Sequence, residues 1–142
     1  LAEGTSAFCF LLSAFCFLLS AFCLQGGTMA DLKDRTREFA LRIVRLVSAL
    51  PDSRIAWRLG DQVLRSGTSP GAHFREALRA RSKAEYVAKM NSGLMELEET
   101  SYWLELLEGS GLVEPRKLEP LKTETSELTA IFVSLIRKWR KP

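Results

Sequence analysis

Apolar residues recur every three or four positions along most of the chain, the spacing of amphipathic helices, and no stretch alternates in the manner of a strand. From Asp31 to Leu50, the residues Phe39, Ile43, Leu46, Val47 and Leu50 form one stripe, and Arg35, Arg42 and Arg45 lie off it. Pro51-Asp52-Ser53 supplies a turn, with Asp52 or Ser53 as cap of the next helix. That helix is predicted over 53–79, with Ile55, Leu59, Val63, Phe74 and Leu78 on its buried side. Within it, Ser66-Gly67-Thr68-Ser69-Pro70-Gly71 would ordinarily end a helix. Both flanks keep helical spacing, so the pattern predicts one long helix kinked near Pro70, whose small residues admit a close neighbour. A plain turn between two short helices is the alternative.

Ser82 and Glu85 make a capping box that opens a third helix over 82–109. It carries Tyr86, Val87, Met90, Leu94, Leu97, Leu104 and Leu107 and closes at Gly109-Ser110-Gly111. A fourth helix over 115–140 starts at Pro115 and carries Leu118, Leu121, Leu128, Ile131, Phe132, Leu135 and Trp139, with Pro120 either bending it or marking its true start. Short connections between four such helices imply antiparallel neighbours. The expected fold is an all-α, up-down-up-down antiparallel four-helix bundle over residues 29–142.

The first 28 residues follow a different rule. Residues 6–24 are uncharged and follow a seven-residue repeat built on Ser-Ala-Phe-Cys-Phe-Leu-Leu, perfect through Cys23. A membrane span needs about 20 apolar residues, which this run barely reaches. A secretory signal needs a basic start, whereas the charge upstream is Glu3. The heptanucleotide TTCTGCT, repeated and read through all frames, encodes Phe-Cys-Phe-Leu-Leu-Ser-Ala. The expectation is therefore a translated non-coding or otherwise disordered leader, with the natural protein beginning at Met29 and no membrane association unless the leader is real. The three cysteines, Cys9, Cys16 and Cys23, all lie in this leader. The bundle thus has neither a disulfide framework nor a thiol nucleophile, which fits a reducing cytoplasm.

Net charge is only +3, but its distribution changes the picture. Residues 31–89 carry 13 Lys/Arg against 7 Asp/Glu, residues 90–136 carry 3 against 9, and Arg137, Lys138, Arg140 and Lys141 follow. Such blocks suit docking between helices or subunits, and a basic block also suits nucleic acid. The expected contacts to nucleic acid or to another subunit are Arg35, Arg42, Arg45, Arg54, Arg58, Arg137, Lys138 and Arg140. Arg65, Arg75, Glu76, Glu96 and Glu99 lie near apolar stripes and are expected to pair between helices, with Arg65 or Arg75 meeting carboxylates of the third helix. Aromatic residues are not read as interleaved with the arginines, so stacking on single strands finds no support at this level.

Little here suggests catalysis. The one histidine, His73, has no partner at metal-ligand spacing. Gly67 and Gly71 lack the lysine and preceding strand of a phosphate loop. Glu96, Glu98, Glu99, Glu105 and Glu108 lack the Glu-x-x-His pairs of di-metal bundles. No metal, cofactor, small-molecule substrate or enzymatic activity is expected.

Three stretches carry a resemblance: Gln62-Val63-Leu64-Arg65-Ser66-Gly67-Thr68-Ser69, Gly71-Ala72-His73-Phe74-Arg75-Glu76-Ala77 and Glu96-Leu97-Glu98-Glu99-Thr100-Ser101-Tyr102-Trp103-Leu104. Over about residues 31–140 the chain resembles the bacterial four-helix-bundle proteins of the 23S rRNA intervening-sequence type. It departs from that pattern at His73, usually Asn, and at Pro70, usually aliphatic; the leader has no counterpart. The resemblance implies a small cytosolic homo-oligomer, typically a pentamer, whose genes occur within insertions in ribosomal RNA genes. Similar bundles serve as accessory proteins of diversity-generating retroelements, contacting nucleic acid and a reverse transcriptase. The leading expectation is a non-enzymatic, homo-oligomeric interaction protein that associates with ribosomal RNA or a nucleoprotein. The alternative is a structural or protein-partner scaffold without nucleic-acid binding.

Overall fold

Each of the first three helices starts where a hydroxyl side chain closes the first turn. The computed structural model describes residues 28–140. Within them lie α1 (Met29–Ser48), α2 (Arg54–Ala77), α3 (Lys83–Gly109) and α4 (Pro115–Arg140). The repeat-bearing leader falls outside the described residues. α1 begins two residues before the expected start and is capped by Thr28: its hydroxyl accepts from the Asp31 N–H, and the Asp31 carboxylate accepts from the Thr28 N–H at 2.6 Å. Ser53 caps α2 and Ser82 caps α3. At α3 the return bond reaches one residue further back, because the Glu85 carboxylate accepts from the Arg81 N–H. Beyond α3, Gly111 takes a φ of 71°, a left-handed conformation suited to a residue without Cβ.

Contacts between successive helices run in opposite sequence order. Thr36, Ile43 and Val47 of α1 face Gly71, Gly67 and Gly60 of α2. Glu76 and Arg65 of α2 meet Lys89 and Glu96 of α3. Tyr86, Gly93 and Glu108 of α3 meet Trp139, Phe132 and Lys122 of α4. Consecutive helices are therefore antiparallel, and of the four neighbouring helix pairs α1 and α4 touch least.

α2 is packed between α1 and α3, and its buried side is mostly small: Ala56, Gly60, Ser66, Gly67 and Gly71 accompany Val63, Pro70, Phe74 and Ala77. A Cβ at Gly67 would sit 2.7–2.9 Å from three atoms of the Ile43 side chain. The space left by the missing side chain is thus filled by Ile43, a fully buried core residue. The helix continues through Pro70, whose ring is buried. Around it the hydroxyls of Ser66, Thr68 and Ser69 each donate to a carbonyl four residues back on their own helix. The two-helix alternative at this stretch does not occur. In the centre, Phe74 of α2 and Phe132 of α4 approach with ring centroids 6.2 Å apart, and Phe132 fills the space opposite Gly93 of α3.

Three residues assigned to the buried stripes are exposed. Ile55 is 64% exposed, since Ala56 and Gly60 turn inward instead. Leu78 follows the last residue of α2 and is 44% exposed. Trp139 is 38% exposed, with one face against the buried Tyr86 at a centroid distance of 4.6 Å. Among the described residues, no helix is long and apolar enough to cross a membrane.

Candidate nucleic-acid interface

The antiparallel register of α2 and α3 brings opposite charges together across their seam. Arg65 lies 3.4 Å from Glu96 and also pairs with Glu99. Glu99 accepts a further bond from the indole N–H of Trp103 at 2.9 Å. That bond, followed by the Arg65 contact, holds the Glu99 carboxyl below its ordinary value. The Arg65 side chain is nevertheless 51% exposed, so the pair caps the seam from outside and is not a buried charge pair. Glu76 pairs with Lys89 at 2.7 Å, which lowers the carboxyl and raises the ammonium; His73 stands 3.7 Å from the same carboxylate.

Of Arg65 and Arg75, Arg65 is the one that meets the carboxylates of α3. Arg75 meets no carboxylate of α3; its guanidinium donates to the carbonyls of Gly71 and Lys33, tying the end of α2 to the start of α1. Arg35, expected as an outward contact, turns to α4 and pairs with Glu124 and Glu127. The pairing partners Lys89, Lys122, Glu124 and Glu127 are not singled out by the sequence, and Glu108 and Trp103 stand out there for reasons other than pairing. Their signal, like charges or an indole at helical spacing, is shared with ordinary solvated positions.

The remaining nominated cations lie at two opposite ends of the bundle. Arg42 and Arg45 close α1 and Arg54 and Arg58 open α2, at the same end. Arg45 pairs with Glu38 of its own helix at 3.0 Å, and Arg42 is half-buried. Arg54 and Arg58 are exposed and join no ion pair among the described residues. They share a shallow depression with Asp52, Ser53, Trp57 and Asp61. Arg137, Lys138 and Arg140 are exposed in the last turns of α4, at the other end. There they complement the negative pole of that helix. α2 differs from α1 and α3 in having no acidic residue in its first turn. No group of three or more His, Cys, Asp or Glu suited to a metal ion occurs among the described residues.

The family model for the 23S rRNA-intervening sequence protein matches residues 30–134. No curated protein matches the chain. Among solved structures, a crystal structure of a protein of unknown function from the S23 ribosomal protein family of Bacteroides thetaiotaomicron superposes with a TM-score of 0.73. It is 38% identical, and the match covers 77% of this chain and 97% of that one. With the four helices and the sequence pattern both accounted for, the chain belongs to the 23S rRNA-intervening sequence protein family.

Proposed function

We propose that this protein is a non-enzymatic, self-associating helical bundle of the cytoplasm that engages RNA, or a nucleic-acid-processing protein, through the basic end formed by α1 and α2. The observation that carries this reading is Arg54 and Arg58: two exposed guanidiniums without carboxylate partners, at a helix start lacking any acidic residue in its first turn. Cations in that position oppose the helix dipole and contribute nothing to folding. An anionic ligand there meets two arginines and the positive pole together, and phosphates fit that description without sequence readout.

A scaffold reading draws on a different face. Met95 and Tyr102, seven residues apart on α3, are both well exposed, with Glu98 and Glu105 alongside. Apolar side chains so placed suit a second copy, and this supports self-association with or without RNA.

The test is native mass spectrometry of the chain, alone and with a ribosomal RNA fragment, beside a mobility-shift titration at two salt concentrations. The Arg54→Ala/Arg58→Ala double variant should bind more weakly, with a salt slope reduced by about 1.5–2. Assembly without any RNA shift would favour the scaffold and remove the nucleic-acid reading.

A further inference from the structure

Trp57 is the most exposed aromatic residue among those described. Its side chain is 67% exposed, whereas Trp103 is half-buried with its indole N–H bonded to Glu99. The Trp57 indole N–H has no hydrogen-bond partner among those described. Helical spacing places Arg54 one turn before Trp57, Arg58 beside it and Asp61 one turn after it. All of these line one depression with Asp52 and Ser53. The neighbouring exposed apolar residue, Ile55, is two positions away and points to another side of the helix. The indole thus stands apart from other exposed apolar side chains, bordered by two guanidiniums and two carboxylates.

We infer that Trp57 is a stacking platform for an unpaired base of single-stranded RNA, with Arg54 and Arg58 holding the phosphates on either side. This rests on the RNA reading above and narrows it from RNA in general to single strands. A flat, exposed indole offers a π face to any base, and flanking guanidiniums supply the charge that tracks the backbone. The carboxylates of Asp52 and Asp61 repel phosphate but accept hydrogen bonds from exocyclic amino groups, which adenine, cytosine and guanine carry and uracil lacks. A duplex keeps its bases stacked internally and gains nothing from the indole.

The experiment titrates the full chain with short oligoadenylate and with an RNA duplex, at low and physiological salt, following anisotropy and tryptophan fluorescence. Trp57→Ala should lower oligoadenylate affinity about five- to a hundredfold while leaving the salt slope and the duplex affinity unchanged. Trp57→Phe should retain most of the affinity but lose the binding-linked quenching. The exposure of Trp57 makes an unchanged helical circular dichroism signal the expected fold control. Unchanged oligoadenylate affinity in Trp57→Ala, beside weakened binding in Arg54→Ala/Arg58→Ala, would overturn the platform and leave the RNA reading standing. A parent chain that binds neither RNA would remove both. A smaller assembly in Trp57→Ala would show that the indole is covered by a second copy and overturn the inference.

Discussion

The guanidinium of Arg35 in α1 grips the carboxylate of Glu124 in α4 with two parallel bonds, Nε to Oε1 at 2.6 Å and Nη2 to Oε2 at 3.1 Å. Glu127 takes a further contact from the same Nη2. The carboxylates raise the guanidinium above its ordinary value, with the Glu124 hydrogen bond as the largest cause. Because α1 and α4 touch least, this fork is the polar strut across the thinnest seam of the bundle. Arg35→Ala should cost about 1–3 kcal/mol. Arg35→Lys should recover little, since an ammonium cannot reproduce the planar fork. Urea titration followed by circular dichroism measures both, with Arg45→Ala, which breaks an exposed pair within α1, as the comparison expected to change little.

Gly67 and Gly109 are both helical glycines in opposite surroundings. Alanine at Gly67 drives a Cβ against three atoms of the buried Ile43 side chain at 2.7–2.9 Å. Overpacking of about 1–3 kcal/mol is set against a helix-propensity gain of about 1 kcal/mol, for a net loss of up to about 2 kcal/mol. Nothing lies within 4 Å of a Cβ at Gly109, so alanine there should leave stability unchanged or raise it slightly. Thermal melting of the two variants should give shifts of opposite sign, or a shift at Gly67 alone.

Leu128 is fully buried, whereas Leu94 only packs against the core from its edge. Leu128→Ala should cost about 2–5 kcal/mol. Leu94→Ala should cost distinctly less, because part of its surface is already in water. Chemical denaturation that ranked them equally would place Leu94 inside a second interface.

Stability should fall in acid partly through Glu99. Its folded carboxyl is held below the ordinary value of 4.5, first by Trp103 and then by Arg65. A depressed carboxylate contributes stability that is complete above the unfolded value and is lost as pH falls through the folded one. Glu99→Gln should therefore melt below the parent at neutral pH, and the gap should narrow as pH drops below 4.5. Melting temperatures taken from neutral pH downward check the sign; a gap that widened in acid would contradict it.

The bundle was legible because Phe39, Ile43, Val63, Met90, Leu97, Leu104, Leu128 and Phe132 carry a strong helical period and turn inward as a period requires. The exact face of α2 was not, because its inward side is written in Ala56, Gly60, Ser66, Gly67 and Gly71. Small residues carry almost no hydropathy, so the apolar period runs through the larger Ile55, which the structure turns to solvent. Arg65 with Glu96 and Glu99 was readable from proximity to the stripe, since α2 and α3 are neighbours in sequence and in space. Arg35 was not: its partners lie 89 and 92 residues away, and nothing local distinguishes a strut from a solvated arginine. Trp57 lies between Arg54 and Arg58 in the sequence, against the expectation that aromatic residues are not interleaved with the arginines, and its exposure is legible only in the structure.

The separation of the cations has a consequence for scale. α3, whose 27 residues run the length of the bundle, spans about 40 Å. Arg54 and Arg58 stand at one tip of that rod, and Arg137, Lys138 and Arg140 at the other. A compact anion meets one tip only. A flexible anionic polymer held at one tip samples the second at an effective concentration set by the slack between them. Binding strength then steps up once the polymer is long enough to reach both tips, and excess slack between them weakens the gain.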